Sequence, residues 1–255
     1  MTREVWVVGA SKGLGRELAR IYASEGRTVI GMSRGVPPTE GDFEAYLQLD
    51  VSSAHDVNAM IARLYAAGRR PELVVYMAAS VYQGSITEEP EHLLRRQIDT
   101  NYLGFVHLCK ALVAHRPDNH RLKVVATAST LAYVGCPSLD NYSASKAALI
   151  SFARSARAEL SAHGLSIQIV SPPHMTNGGA DLVGPQPFSV AWSARHFART
   201  TDRNCGETIL GRSNGLMVAM SRFAPRLAAR IMHAIGLDAL QRGAVRLDRS
   251  TAPET

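Results

Sequence analysis

The sequence predicts an α/β fold: a single domain on a doubly wound, parallel seven-stranded sheet with helices on both faces. Short β-rich apolar runs alternate with helical patterns along the chain, which is how βαβ units read. The first of these runs is followed at once by a glycine-rich turn that opens a helix. The chain has 255 residues, 46% hydrophobic and 20% charged, enough for one such domain without a disulfide or metal staple.

Residues 5–8 read as the first strand and 14–24 as its helix. Further strands are expected at 28–30, 46–49, 73–77, 123–126 and 166–170, with a seventh at 208–210. Long helices are expected over 98–115 and 141–162. The stretch 171–190 is rich in Pro and Gly and lacks periodicity; with the residues up to 200 it is expected to form a lid over a substrate. Near the C-terminus Pro225 suits a first helical turn and Gly236 a stop, bracketing about three turns within a helical extension over 213–236. The domain is expected to span 1–247, and 248–255 to be a disordered tail.

Composition excludes several classes. No apolar run approaches the ~18 residues of a membrane span, and the opening residues carry no signal-peptide pattern. Cys109, Cys136 and Cys205 are odd in number and share no C-x-x-C spacing, which argues against a disulfide framework or a metal centre and for the reducing cytoplasm. The net charge is +6, with Lys only at 12, 110, 123 and 146 and the other cations all Arg. These arginines are scattered and match no nucleic-acid-binding motif, so no nucleic-acid partner is expected. Arg226, Arg230 and His233 line one face of the expected last helix, beside an apolar row of Leu227, Ile231 and Ile235. That pattern suits contact of 225–236 with a membrane surface less well than packing on the core or a partner subunit, with the arginines in solvent.

Two motifs carry chemistry. Gly9-Ala-Ser11-Lys12-Gly13-Leu14-Gly15 lies between the first strand and its helix, where glycines let the backbone approach a pyrophosphate and the helix N-terminus meets its charge. Tyr142-Ser-Ala-Ser-Lys146 sets a phenol and an ammonium at i and i+4 on one helix face. A neighbouring cation favours the phenolate, so such a Tyr can exchange a proton with a reacting oxygen. Ser129 follows the fifth strand, where a hydroxyl can bond the same oxygen, and Asn101 begins the preceding helix.

Over nearly its whole length the sequence resembles the short-chain dehydrogenase/reductase (SDR) family, whose fold is a Rossmann-type sheet. The glycine loop, Asn101-Tyr-Leu-Gly104, Ser129 and Tyr142-Ser-Ala-Ser-Lys146 match that family's signature in order and spacing. The resemblance implies Tyr142 as general acid in carbonyl reduction, Ser129 as polariser of the substrate oxygen and Lys146 as holder of the nicotinamide ribose. Asn101 would support a proton-relaying water. Further cofactor contacts implied are Val51, Ala78 and Pro172, and for the carboxamide either Thr176, one residue early by count, or Asn177, which occupies the slot. Asp50 matches an adenine-contacting position, and equally reads as a helix N-terminal charge or cap near 52–53. A homodimer or homotetramer pairing through 98–115 and 141–162 is also implied.

The family usually carries Asn-Asn-Ala-Gly after the fourth strand; here it is Tyr76-Met77-Ala78-Ala79, and Ala79 does not take positive φ as cheaply as Gly. Pro172-Pro173 stands where Pro-Gly is usual. The pocket implied by analogy draws on Leu131, Tyr133, Tyr82, His174, Met175, Phe188 and Trp192, an apolar lining suited to a hydrophobic ketone or aldehyde; Phe188 and Trp192 read equally as anchors of the lid. Where an NAD-preferring site ends its second strand with a carboxylate, this chain has Ser33 followed by Arg34, with Lys12 adding a second cation. NADPH is therefore the expected cofactor, and no metal is. Two other functions stay open: a non-catalytic NADP(H)-binding regulator or scaffold, and an epimerase or dehydratase without net cofactor turnover.

Overall fold

The computed structural model describes residues 3–35, 43–176, 188–203 and 206–241. Seven parallel strands form one sheet: β1 (Glu4–Val8), β2 (Thr28–Ser33), β3 (Ala45–Gln48), β4 (Leu73–Tyr76), β5 (Leu122–Thr127), β6 (Leu165–Ser171) and β9 (Glu207–Ile209). Their order, β3-β2-β1-β4-β5-β6-β9, reverses direction between β1 and β4. A ligand crevice is expected beyond the carboxyl ends of strands at such a reversal. A short parallel pair, β7 (Met175–Thr176) with β8 (Phe188–Ser189), lies outside this sheet. The sequence expectations at 177–187, at Cys205 and at 248–255 lie outside the described residues.

Side chains alternate across each strand, so the sheet feeds two cores. Trp6, Val8, Ile30, Met32, Val74 and Val124 pack with α2 (Ala54–Ala66), α4 (Gly104–His115) and α6 (Asp140–Ser155). Val5, Val7, Val29, Val75 and Val125 face the other way, onto α1 (Gly13–Ser24) and α8 (Val190–Thr201). Burial on both faces explains why these strands read as unbroken apolar runs. Each fully buried Val or Ile here contributes about 1.5–3 kcal/mol over an exposed one.

Three helix expectations are corrected. The helix expected over 98–115 is α3 (Glu91–Ile98), a π-helical turn (Asp99–Leu103) and α4 in succession. The one expected over 141–162 breaks at Ala156 into α6 and α7 (Arg157–Ala162). The C-terminal extension is a hairpin of α9 (Arg212–Phe223) and α10 (Pro225–Gln241), and Gly236 does not end α10. A Cβ at Gly236 would stand 2.6 Å from Pro137 Cδ, so this glycine lets the helix lie against the chain before α6. Pro225 does open a helix, as its fixed φ favours.

Candidate active site

The glycine loop is held by contacts that leave no room for side chains. Gly9 has φ +98°, its N–H donates to Met32 O at 2.6 Å, and a Cβ there would lie 2.4 Å from Ala78 N. A Cβ at Gly15 would lie 2.1 Å from Gly9 O. Gly13 also has positive φ, +58°. Lys12 is the N-cap residue of α1, with no side-chain cap bond and no acidic residue in the first turn. A helix start of this kind suits a phosphate, whose oxygens would take the place of a capping side chain.

At the end of β2, Ser33 Oγ shares a hydrogen bond with Tyr46 OH, and exposed Arg34 accepts from Gln48 Nε2 at its backbone oxygen, 3.1 Å. Asp50 Oδ1 accepts from Ser52 N–H (2.9 Å) and Ser52 Oγ (2.7 Å), and Ser53 Oγ caps α2 through Asp56 N–H. That oxygen of Asp50 therefore organises the turn into α2, in line with the structural reading of this residue. Val51 is buried and its carbonyl meets His107 Nδ1 at 3.2 Å.

Tyr142 and Lys146 lie on α6, and Ser129 just beyond β5. Ser129 Oγ accepts from Leu131 N–H at 3.2 Å. Burial pushes the Tyr142 phenol above its ordinary pKa, while a hydrogen bond with Ser129 pulls it down. Lys146 is 2% exposed, donates to Thr127 O at 2.9 Å, and is pushed by burial down to about 8. Its Nζ stands 6.0 Å from the centre of the Tyr142 ring. Desolvation dominates at Tyr142, and what opposes it is the Ser129 hydrogen bond, not the lowering expected from the Lys146 cation.

Asn101 sits in the π-helical turn with its side chain fully committed. Its Oδ1 accepts from Ser80 N–H (2.7 Å); its Nδ2 donates to Ser80 O (2.9 Å) and to Ser145 Oγ (2.8 Å). Ser145 in turn donates to Tyr142 O at 2.7 Å. One amide thereby ties the segment after β4 to the helix of Tyr142 and Lys146. Tyr76, fully buried, donates its hydroxyl to Thr100 O in the same turn. Together these bonds brace the segment that departs from Asn-Asn-Ala-Gly. Ala79 carries no strain, since Ser138 (φ +72°) is the one non-glycine at positive φ among the described residues. Ser80 and Thr127 had no signal in the sequence; Ser145 was marked only by its place inside the Tyr-Lys motif, and Tyr76 only as part of the departure from Asn-Asn-Ala-Gly.

The implied pocket residues divide. Leu131 packs with Tyr142 in a small apolar cluster that also holds Val81, Val134, Cys136, Leu139, Met217, Met232 and Ile235. Three of these come from α9 and α10, which the sequence reading did not bring to the site. Tyr133 instead commits its hydroxyl to Glu207, which two Arg154 nitrogens hold at 2.7 and 2.9 Å. Trp192 packs with the core beneath α1 and α8, stacks on His196 (centroids 3.8 Å apart) and meets Phe188 (4.5 Å). These contacts suit the anchoring alternative for Trp192 better than the pocket one. Tyr82 and Pro172 are buried; His174 and Met175 are half-buried after β6; Thr176 pairs with Ser189 in β7–β8. No metal-binding cluster occurs among the described residues.

The family model for short chain dehydrogenases matches residues 3–181. Dehydrogenase/reductase SDR family member 7B of Xenopus tropicalis is 27% identical over 186 residues, covering 67% of this chain and 60% of that protein. A 3-ketodihydrosphingosine reductase of Bacteroides thetaiotaomicron is 25% identical over 177 residues, covering 69% and 65%. The chain thus aligns with less than two thirds of the length of these relatives. A short chain dehydrogenase from Burkholderia cenocepacia, solved in complex with NADP, superposes with a TM-score of 0.78 at 21% identity, covering 91% of this chain and 98% of that one. The glycine loop, the Ser129–Tyr142–Lys146 set and the family match agree: this chain belongs to the short-chain dehydrogenase/reductase family of oxidoreductases.

Proposed function

We propose that this protein is an NADPH-dependent reductase of a hydrophobic ketone or aldehyde. The observation that carries the reading is Tyr142 between a Ser129 hydrogen bond and a buried Lys146, with an apolar cluster against its ring. Bound NADPH supplies the hydride. Ser129 donates to the substrate oxygen and fixes its orientation. Tyr142, kept protonated by burial, delivers the proton that the developing alkoxide needs. Lys146, in its ammonium form, offers hydrogen bonds to a ribose and stabilises the phenolate left behind. Asn101 holds the two segments that carry these groups in register.

Preference for NADPH rests on Ser33 and Arg34 at the end of β2, where a carboxylate would repel a 2′-phosphate and a guanidinium can bond it twice. A long apolar substrate suits the cluster of Leu131, Met217, Met232 and Ile235, and is in keeping with the name of the Bacteroides relative. The two described free thiols, Cys109 and Cys136, are buried and suit a reducing compartment such as the cytoplasm.

Titration with both cofactors tests this reading. NADPH should bind at least ~10-fold tighter than NADH, about 1.4 kcal/mol, and Arg34→Ala should erase most of the difference. Loss of NADPH absorbance with long-chain keto compounds should follow. Equal affinities for the two cofactors would overturn the NADPH assignment. Binding without consumption across a broad carbonyl panel would favour a regulator or an epimerase.

A further inference from the structure

The α9–α10 hairpin carries an outer surface that the chemistry above does not use. No residue of α9 is buried. Leu216 is 72% exposed, Phe223 83% and Leu227 52%. Leu216 and Phe223 are two helical turns apart and share a face, and Leu227 follows just past the turn at Ala224. Among the large hydrophobics exposed in the described residues, only Ile86 lies elsewhere. Arg212, Arg222, Arg226 and Arg230 are exposed on the same two helices, and none has an acidic partner among the described residues. Elsewhere exposed arginines do find carboxylates, as Arg95 finds Glu91 and Arg154 finds Glu207. From 208 to 237 the chain has no Asp or Glu.

We propose that this hairpin docks the protein on an anionic lipid surface. Phe223 and Leu227, at the tip, enter the boundary between headgroups and acyl chains, and the four arginines meet the headgroup phosphates. A solvated helix face would mix charges of both signs and keep large apolar groups off it. A second copy is the poorer occupant, since a two-fold contact would set these arginines against their own duplicates. The inner side of the hairpin, through Met217, Met232 and Ile235, packs with Tyr142. Docking therefore brings the apolar approach to Tyr142 beside the bilayer. The inference stands on exposure and charge and does not depend on which carbonyl is reduced.

Sedimentation of the full chain with vesicles tests it, using phosphatidylcholine alone and phosphatidylcholine with phosphatidylserine. We expect pelleting only with phosphatidylserine, reversed by high salt. The variants R222E/R226E and F223S/L227S should each lower partitioning at least about tenfold. Their thermal melts should match the wild type, because the replaced side chains stand in solvent. Absence of pelleting with phosphatidylserine vesicles, or pelleting that both variants leave unchanged, overturns the proposal. So does a drop in molar mass of F223S/L227S in light scattering without vesicle binding by the wild type, which would make this face a contact between copies.

Discussion

Lys146 shows how much the site sacrifices for chemistry. A cation 2% exposed, with one backbone acceptor at 2.9 Å, is held at about 8, below the ordinary ~10.4 of a lysine. Between those two values the unfolded chain binds more protons than the folded one, so stability rises with pH across that window. Below about 8 the folded protein bears the full penalty, on the order of 3 kcal/mol. Lys146→Met should therefore melt at a higher temperature than the wild type at pH 7, with the gap narrowing towards pH 10, while losing activity. A thermal melt across pH checks this; a lower Tm at pH 7 would contradict it. If the proposed reduction holds, kcat/KM should fall as pH rises through about 8 in a pH–rate profile, since the ammonium form stabilises the phenolate; a flat profile would contradict it. The Tyr-Lys spacing made this pair legible, because i and i+4 share a helix face. Ser80 and Ser145 were not legible: Asn101 joins them across 21 and 44 residues of chain, and no local pattern encodes such a bond.

The π-helical turn at Asp99–Leu103 is the element that sequence periodicity hides, since its apolar neighbours continue with no Gly or Pro to mark a break until Gly104. Its cause is packing. Tyr76 OH reaches Thr100 O, and a Cβ at Gly104 would stand 2.2 Å from that hydroxyl and 2.9 Å from Val51 Cγ2. Tyr76→Phe leaves a buried carbonyl without its donor and should cost about 1–3 kcal/mol in denaturant unfolding. A change of no more than about a few tenths of a kcal/mol would show that the hydroxyl is dispensable. The glycine loop was legible because its position after β1 and its spacing are local. Gly15→Ala should weaken NADPH binding at least ~10-fold, as the new methyl would sit on Gly9 O; wild-type affinity would contradict the packing described. The α9–α10 hairpin was half legible. Pro225 marked its second helix, but Gly236 reads as a stop only until Pro137 is seen against it.

In the molecule as a whole, the reversal of strand order between β1 and β4 sets the glycine loop at the crevice, and β5 leads into Ser129 beside α6. That arrangement follows from alternating strands and helices, which is why the doubly wound sheet could be read before any coordinates. The apolar cluster beside Tyr142 could not, because it brings Met217, Met232 and Ile235 back to Leu131 and Tyr142. We propose, from the family resemblance, that copies pair through α4 and α6; light scattering should then report a dimer or tetramer, and a monomer at micromolar concentration would contradict it. The central claim is that Tyr142 supplies the proton while the rest of the site binds and orients. Tyr142→Phe decides it most directly, with NADPH binding followed by fluorescence and turnover by NADPH absorbance on the same preparation. The mechanism predicts unchanged NADPH affinity and a loss of turnover of at least ~10²-fold, whereas turnover within a few fold of wild type would contradict it.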